Sequence, residues 1–154
     1  MRFVKLLLLV AAFFVGGFVS STTTASAEER YGEQKVVYHI NYGGGEEDKA
    51  YRAALTNVQN HINAVGKDHI TVKVLLHGDG VNLLRDAMKN QTLQSDVTSL
   101  KTQNVQFLVC NNTLTGRHID YENDLFEVFE DDIVPSGVAE LSRLQQQGYT
   151  YIKP

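Results

Sequence analysis

The stretch Ile70-Thr71-Val72-Lys73-Val74-Leu75-Leu76-His77-Gly78-Asp79-Gly80-Val81 decides how this chain folds. Its first seven residues, ITVKVLL, are β-branched or apolar but for one lysine and read as a buried strand, and His77-Gly78-Asp79-Gly80 reads as the turn that ends it. Upstream stands the clearest helical pattern in the chain, Glu46 to Val65. There Tyr51, Leu55, Val58, Ile62 and Val65 recur at steps of four, three, four and three, one stripe of a 3.6-residue period. Glu46, Glu47 and Asp48 are expected to complement the positive end of that helix and Gly66 to stop it. Before it, KVVYHIN (Lys35–Asn41) predicts another strand, running into Gly43-Gly44-Gly45, a turn that permits close backbone approach.

Downstream, the spacing predicts a short helix over Val81–Lys89 packed through Val81, Leu84 and Met88, and another over Ser95–Gln103 capped by Ser95 or Asp96 with Val97 and Leu100 inward. VQFLVC (Val105–Cys110) is a buried strand, followed by a helical turn at Leu114–Ile119 and an acidic, ambiguous segment at Tyr121–Asp131. A short strand at Asp132–Pro135, a helix from Val138 to Gln147 capped by Ser136 and stopped by Gly148, and a last strand at Tyr149–Lys153 complete the chain. Strands alternating with helices demand crossover connections, so the expected fold is α/β: a flavodoxin-like parallel sheet of about five strands with helices on both faces. Ligands in such sheets bind outside the carboxyl ends of the strands. Three loops fall there: Gly43–Gly45, His77–Gly80 and Cys110–Thr113.

The amino terminus reads as an export signal, with Arg2 and Lys5 ahead of an apolar stretch from Leu6 to Val19 and a small-residue cleavage site at Ala25-Ser26-Ala27. That stretch is shorter than the roughly 20 residues of a spanning helix, and no basic stop-transfer cluster follows it, so removal is expected rather than a stable membrane anchor. Residues 28–34 then form a charged lead-in and residues 35–154 one domain, in a periplasmic or secreted product. Of the 14 Lys and Arg and 18 Asp and Glu in the sequence, losing Arg2 and Lys5 leaves 12 against 18, a net charge of −6. With no basic stripe interleaved with aromatics, that balance argues against nucleic acid as a partner.

Cys110 is the single cysteine. In an oxidising compartment structural cysteines are paired, so Cys110 is either buried and inert or free for chemistry or an intermolecular bond. Its place, where a buried strand opens into a loop ahead of a helix, would let helix-start amides and neighbouring cations favour the thiolate. Asn111, Asn112 and Thr113 are good caps for the turn behind it, and Arg117 and His118 lie about one turn on, where they either stabilise an anion or are simply solvated. His77 could act as a base, as a thiolate partner, or as a hydrogen-bonded residue that orders its loop. Gly43, Gly44 and Gly78 could let backbone approach a ligand, and Asp79 reads as a turn residue, the alternative being that it holds the His77 ring.

Cys110, His77 and His118 could converge on a metal, but there is no Cys-x-x-Cys, His-x-x-x-His or methionine cluster, and none is expected. The glycines form neither a phosphate-cradling loop nor a dinucleotide fingerprint, so no cofactor is expected either, and no Gly-x-Ser-x-Gly turn marks a hydrolase. The carboxylates between Glu122 and Asp132 read as a solvated acidic face.

The run Val109-Cys110-Asn111-Asn112-Thr113-Leu114, the turn His77-Gly78-Asp79-Gly80-Val81 and the closing segments Val134–Leu141 and Gly148–Pro154 resemble the DsrE/DsrF-like family, in its small single-domain, YchN-related group. The resemblance runs from about Lys35 to Pro154. It implies a flavodoxin-like sheet, assembly into homotrimers or homohexamers and, in the sulfur-relay members, a cysteine after a central strand that carries sulfur as a persulfide. Only Cys110 stands at that matching position. His77 and Asn112 lie in motifs the subgroup shares, with no activity attached to either. Relay members work in the cytoplasm, whereas this chain carries an export signal. The expected function is therefore a periplasmic sulfur carrier or sulfurtransferase in which Cys110 accepts sulfane sulfur from a protein or small-molecule donor and passes it to another thiol. The alternatives are a non-catalytic ligand-binding or oligomeric interaction module with a structural Cys110, and a thiol redox sensor.

Overall fold

The computed structural model describes residues 30–154; the expected export signal and its expected cleavage site lie outside the described residues. Five parallel strands form one sheet in the order β4-β3-β2-β1-β5: β1 Gln34–Ile40, β2 Ile70–Leu76, β3 Gln106–Cys110, β4 Ile133–Val134 and β5 Thr150–Ile152. Helix α1 (Lys49–Val65) joins β1 to β2. Helices α2 (Asn82–Asp86) and α3 (Gln91–Lys101) join β2 to β3, α4 (Asn111–Arg117) and α5 (Tyr121–Asp124) join β3 to β4, and α6 (Gly137–Gln146) joins β4 to β5. The α/β class and five-stranded parallel sheet predicted above are what the chain adopts.

Handedness then decides which face each helix covers. From β1 to β4 every step moves the same way across the sheet, so right-handed crossovers put their helices on one face; the step from β4 back past β1 to β5 reverses direction and sends α6 to the other. The core divides accordingly. Val36, Tyr38, Ile40, Val72, Val74, Leu76, Phe107 and Val109 point to the crowded face and meet Tyr51, Leu55, Val58 and Ile62 of α1 and Leu93, Val97 and Leu100 of α3. Val37, Leu75, Leu108 and Val134 point the other way, against Leu141 and Leu144 of α6. Side chains alternate along a strand, so His39, His77 and Cys110, each two residues beyond Val37, Leu75 and Leu108, share the α6 face at the carboxyl edge.

Several boundaries differ from the sequence reading. Glu47 and Asp48 take left-handed φ values of 50° and 57°, so Glu46–Asp48 is a separate 3₁₀ turn and α1 begins only at Lys49. Helix α3 starts four residues before Ser95 because Asn90 is its cap: the Asn90 side-chain oxygen accepts from the Thr92 and Leu93 amides. In place of one helix over Val81–Lys89 there is a 3₁₀ turn, Gly78–Val81, followed by α2, and Met88 is 46 % exposed while Leu83 and Leu84 are buried. Gly80 makes that turn possible, since a β-carbon on it would lie 1.9 Å from the Ile40 carbonyl oxygen.

Candidate functional site

Helix α4 begins immediately at the end of β3, with Cys110 as its N-cap residue, and not at Leu114. Asn111–Thr113 are therefore its first turn and do not cap it with their side chains. This places the thiol where a capping serine would sit, facing amides that have no partner inside the helix. A second helix start meets it from the other side. The Gly137 N–H, at the beginning of α6, donates to Cys110 Sγ at 3.1 Å. Burial pushes the thiol pKa up, but hydrogen bonds from the Gly137 amide, the Thr113 amide and hydroxyl, and the Asn112 amide outweigh it and hold Cys110 below the ordinary thiol range. The residue is 4 % exposed, so what favours its anion is donors within the fold and not solvent.

Thr113 serves two loops at once, because its Oγ1 also accepts from the Gly78 N–H at 2.9 Å. Asp79 does not hold the His77 ring; it pairs with Arg117 at 2.8 Å, so Arg117 is committed to the turn. His118 is the exposed left-handed C-cap of α4 and joins no contact with the sulfur, and Asn111 is exposed beside the cap. The glycine loop is tied in indirectly. Gly44 is buried with its α-carbon against the Tyr51 ring, whose hydroxyl donates to the Asp79 carbonyl at 2.7 Å, while Gly43 is exposed with open space around it. The site proper thus gathers Cys110, Asn112, Thr113, Gly78 and His77; Gly43, Gly44, Asn111 and His118 lie outside it.

His77 and Cys110 flank the same glycine: a β-carbon on Gly137 would stand 3.1 Å from His77 Cβ and 3.3 Å from Cys110 Cβ. The His77 ring stacks on that of His39, centroids 4.7 Å apart at 22°. His39 is 7 % exposed and its Nδ1 shares a 2.8 Å hydrogen bond with the Tyr151 hydroxyl of β5. Burial first, and then the His77 and Lys153 charges, lower the His39 pKa to about 4; burial and Lys153 lower that of His77. His39 and Gly137 are the residues sequence reasoning missed. A histidine on the Val37 face of an otherwise apolar strand was the available signal for His39; the glycine directly after a helix-capping serine was the signal for Gly137.

On the same face a groove of about 490 Å³ runs between β3 and α6, lined among others by Lys73, Leu108, Val134, Ser136, Glu140 and Arg143. Among the described residues no group of three or more His, Cys, Asp and Glu side chains is arranged to hold a metal ion.

The chain is similar in structure to the protein of unknown function MTH1491 from Methanobacterium thermoautotrophicum, with 32 % identity, a TM-score of 0.65, and cover of 79 % of this chain and 100 % of that one. It shares its fold with the ychN protein from E. coli at 17 % identity and a TM-score of 0.62, over 79 % of this chain and 99 % of that one. No curated protein matches it. The DsrE/DsrF-like family matches residues 34–154, which spans the sheet, both helix starts at the sulfur and the histidine pair, and the chain belongs to that family.

Proposed function

We propose that the protein is an exported sulfur carrier in which the Cys110 thiolate accepts sulfane sulfur and relays it to another thiol, and that it works as a homo-oligomer. With thiosulfate as donor, Sγ bonds to the outer sulfur, the sulfur–sulfur bond of the donor breaks, and sulfite leaves with the electron pair; Cys110 is left as a persulfide. The supporting observation is the hydrogen bond that the Gly137 amide donates to Sγ at 3.1 Å, which stabilises the attacking thiolate and, in the reverse sense, makes Sγ a good leaving group when the sulfur moves on. Family membership favours the same chemistry.

The test is direct. Protein incubated with thiosulfate or polysulfide gains the mass of one sulfur atom, and Cys110→Ser does not. One observation favours a second reading, a binding or interaction module with a structural cysteine: the burial of Cys110. Failure of a thiol-labelling reagent to reach Cys110 in the folded protein, together with no gain of mass, would select it.

A further inference from the structure

The groove of about 490 Å³ between β3 and α6 is built around Lys73, the one charged side chain in ITVKVLL. On β2 it stands two residues before Leu75, so it points to the α6 face, where it is half-buried. Its ammonium donates to Gln106 Oε1 and lies 6.0 Å from the centre of the Tyr149 ring, but among the described residues it forms an ion pair with no carboxylate. The Arg143 guanidinium, which also lines the groove, is occupied: its Nε and Nη2 donate to the two oxygens of buried Glu140 at 2.8 and 2.5 Å. Asp132 accepts from the Phe129 amide. Glu140 and Asp132 therefore act on Lys73 only through space, opposed by the charge of Arg143, and burial outweighs them in lowering the Lys73 pKa. A half-buried ammonium without a counter-ion weakens a fold in which methionine would fill the same space, so Lys73 calls for an explanation beyond packing.

Gln106 adds a second donor. Because its Oε1 accepts from the ammonium, its Nε2 is left over, and that amide group has no hydrogen-bond partner among the described residues. Lys73 and Gln106 are paired across β2 and β3, so the groove offers a cation and a neutral N–H donor side by side. Two donors and one positive charge match the two oxygens of a carboxylate. Beside them the lining is apolar, with Leu108 and Val134 from the strands and Pro135 and Ala139 from the segment that follows. The carboxylates of Asp131 and Glu140 also line the groove and oppose a second negative charge on any occupant.

We propose that this groove binds a small monocarboxylate, whose anionic head takes Lys73 and Gln106 and whose short apolar chain lies over Leu108 and Val134. Its volume falls within the range of small-molecule sites, about 300–1,000 Å³. The inference does not rest on the sulfur-relay reading.

Octanoate is the probe, titrated into the full protein and followed by NMR at the backbone amides of Leu108, Val134 and Ala139. These resonances should shift together and saturate with a Kd of about 1 mM or tighter. Octanol, which keeps the chain and lacks the charge, should bind about tenfold more weakly or worse, and so should inorganic phosphate, which lacks the chain. Lys73→Met should weaken octanoate about tenfold or more. Gln106→Glu supplies the missing counter-ion from within the fold; it should remove octanoate binding while raising the melting temperature, so the loss cannot be put down to a damaged structure. No shift of these resonances at about 10 mM octanoate, octanol or phosphate binding as tightly as octanoate, or wild-type affinity in Lys73→Met or Gln106→Glu would overturn the inference.

Discussion

Cys110 and Gly137 stand 27 residues apart in the chain, yet the Gly137 amide donates to Cys110 Sγ at 3.1 Å, so the sulfur of the residue that opens one helix is held by the start of the helix that crosses back beneath the sheet. Two short side chains make the approach possible. Gly137 has no β-carbon to hold α6 away, and Cys110 carries its sulfur one bond beyond its own.

Gly137→Ala tests this closeness. The added methyl would meet His77 Cβ at 3.1 Å, Leu75 Cδ2 at 3.2 Å and Cys110 Cβ at 3.3 Å, tight contacts in a packed edge. Chemical denaturation should show a loss of about 1–3 kcal/mol, and the Cys110 thiol should titrate higher, as read by thiolate absorbance, because the amide is pushed back.

Thr113→Val removes one hydroxyl that accepts from Gly78 N–H and donates to Cys110 while keeping the volume. The buried sulfur then depends on amides alone. The thiol pKa should rise towards the ordinary value in the same absorbance titration, and stability should fall by about 1 kcal/mol.

The histidine pair makes stability depend on pH. His39 holds its proton less tightly in the fold, with a pKa of about 4, than in the unfolded chain at about 6.5, so the unfolded state binds more protons in the interval between. Stability should therefore be level above pH 6.5 and decline as the pH falls towards 4, by roughly 3 kcal/mol in all. His39→Phe should flatten most of that slope; denaturation curves at a series of mildly acidic pH values decide it.

Gly80→Ala probes the turn that carries His77. A β-carbon 1.9 Å from the Ile40 carbonyl oxygen and 2.5 Å from its carbon cannot be accommodated without moving the end of β1. A loss of more than about 3 kcal/mol is expected, measured by urea denaturation, together with weaker thiolate character at Cys110 as the Gly78–Thr113 contact is lost.

Much of the fold was legible because its signals are local. The stripe Tyr51, Leu55, Val58, Ile62, Val65 is buried as its spacing demands, and KVVYHIN, ITVKVLL and VQFLVC all enter the sheet. The misread helix starts have separate causes. The left-handed backbone of Glu47 and Asp48 delays α1, the Asn90 side chain reaches the first free amides of α3 ahead of Ser95, and at Cys110 the chain turns straight from strand into helix with no side-chain cap.

By itself the sequence determined an alternating strand–helix chain, its apolar faces and the placement of its one cysteine at a strand end, since periods of 2 and 3.6 residues are written into neighbouring side chains. Only the tertiary structure decided what surrounds that sulfur. The order β4-β3-β2-β1-β5 reverses once, and right-handed crossovers then require α6 to cross the face on which His39, His77 and Cys110 lie. The amide of Gly137, the ring of His39 and the hydroxyl of Tyr151 reach the site through strand order and handedness, properties of the whole sheet that no local spacing encodes.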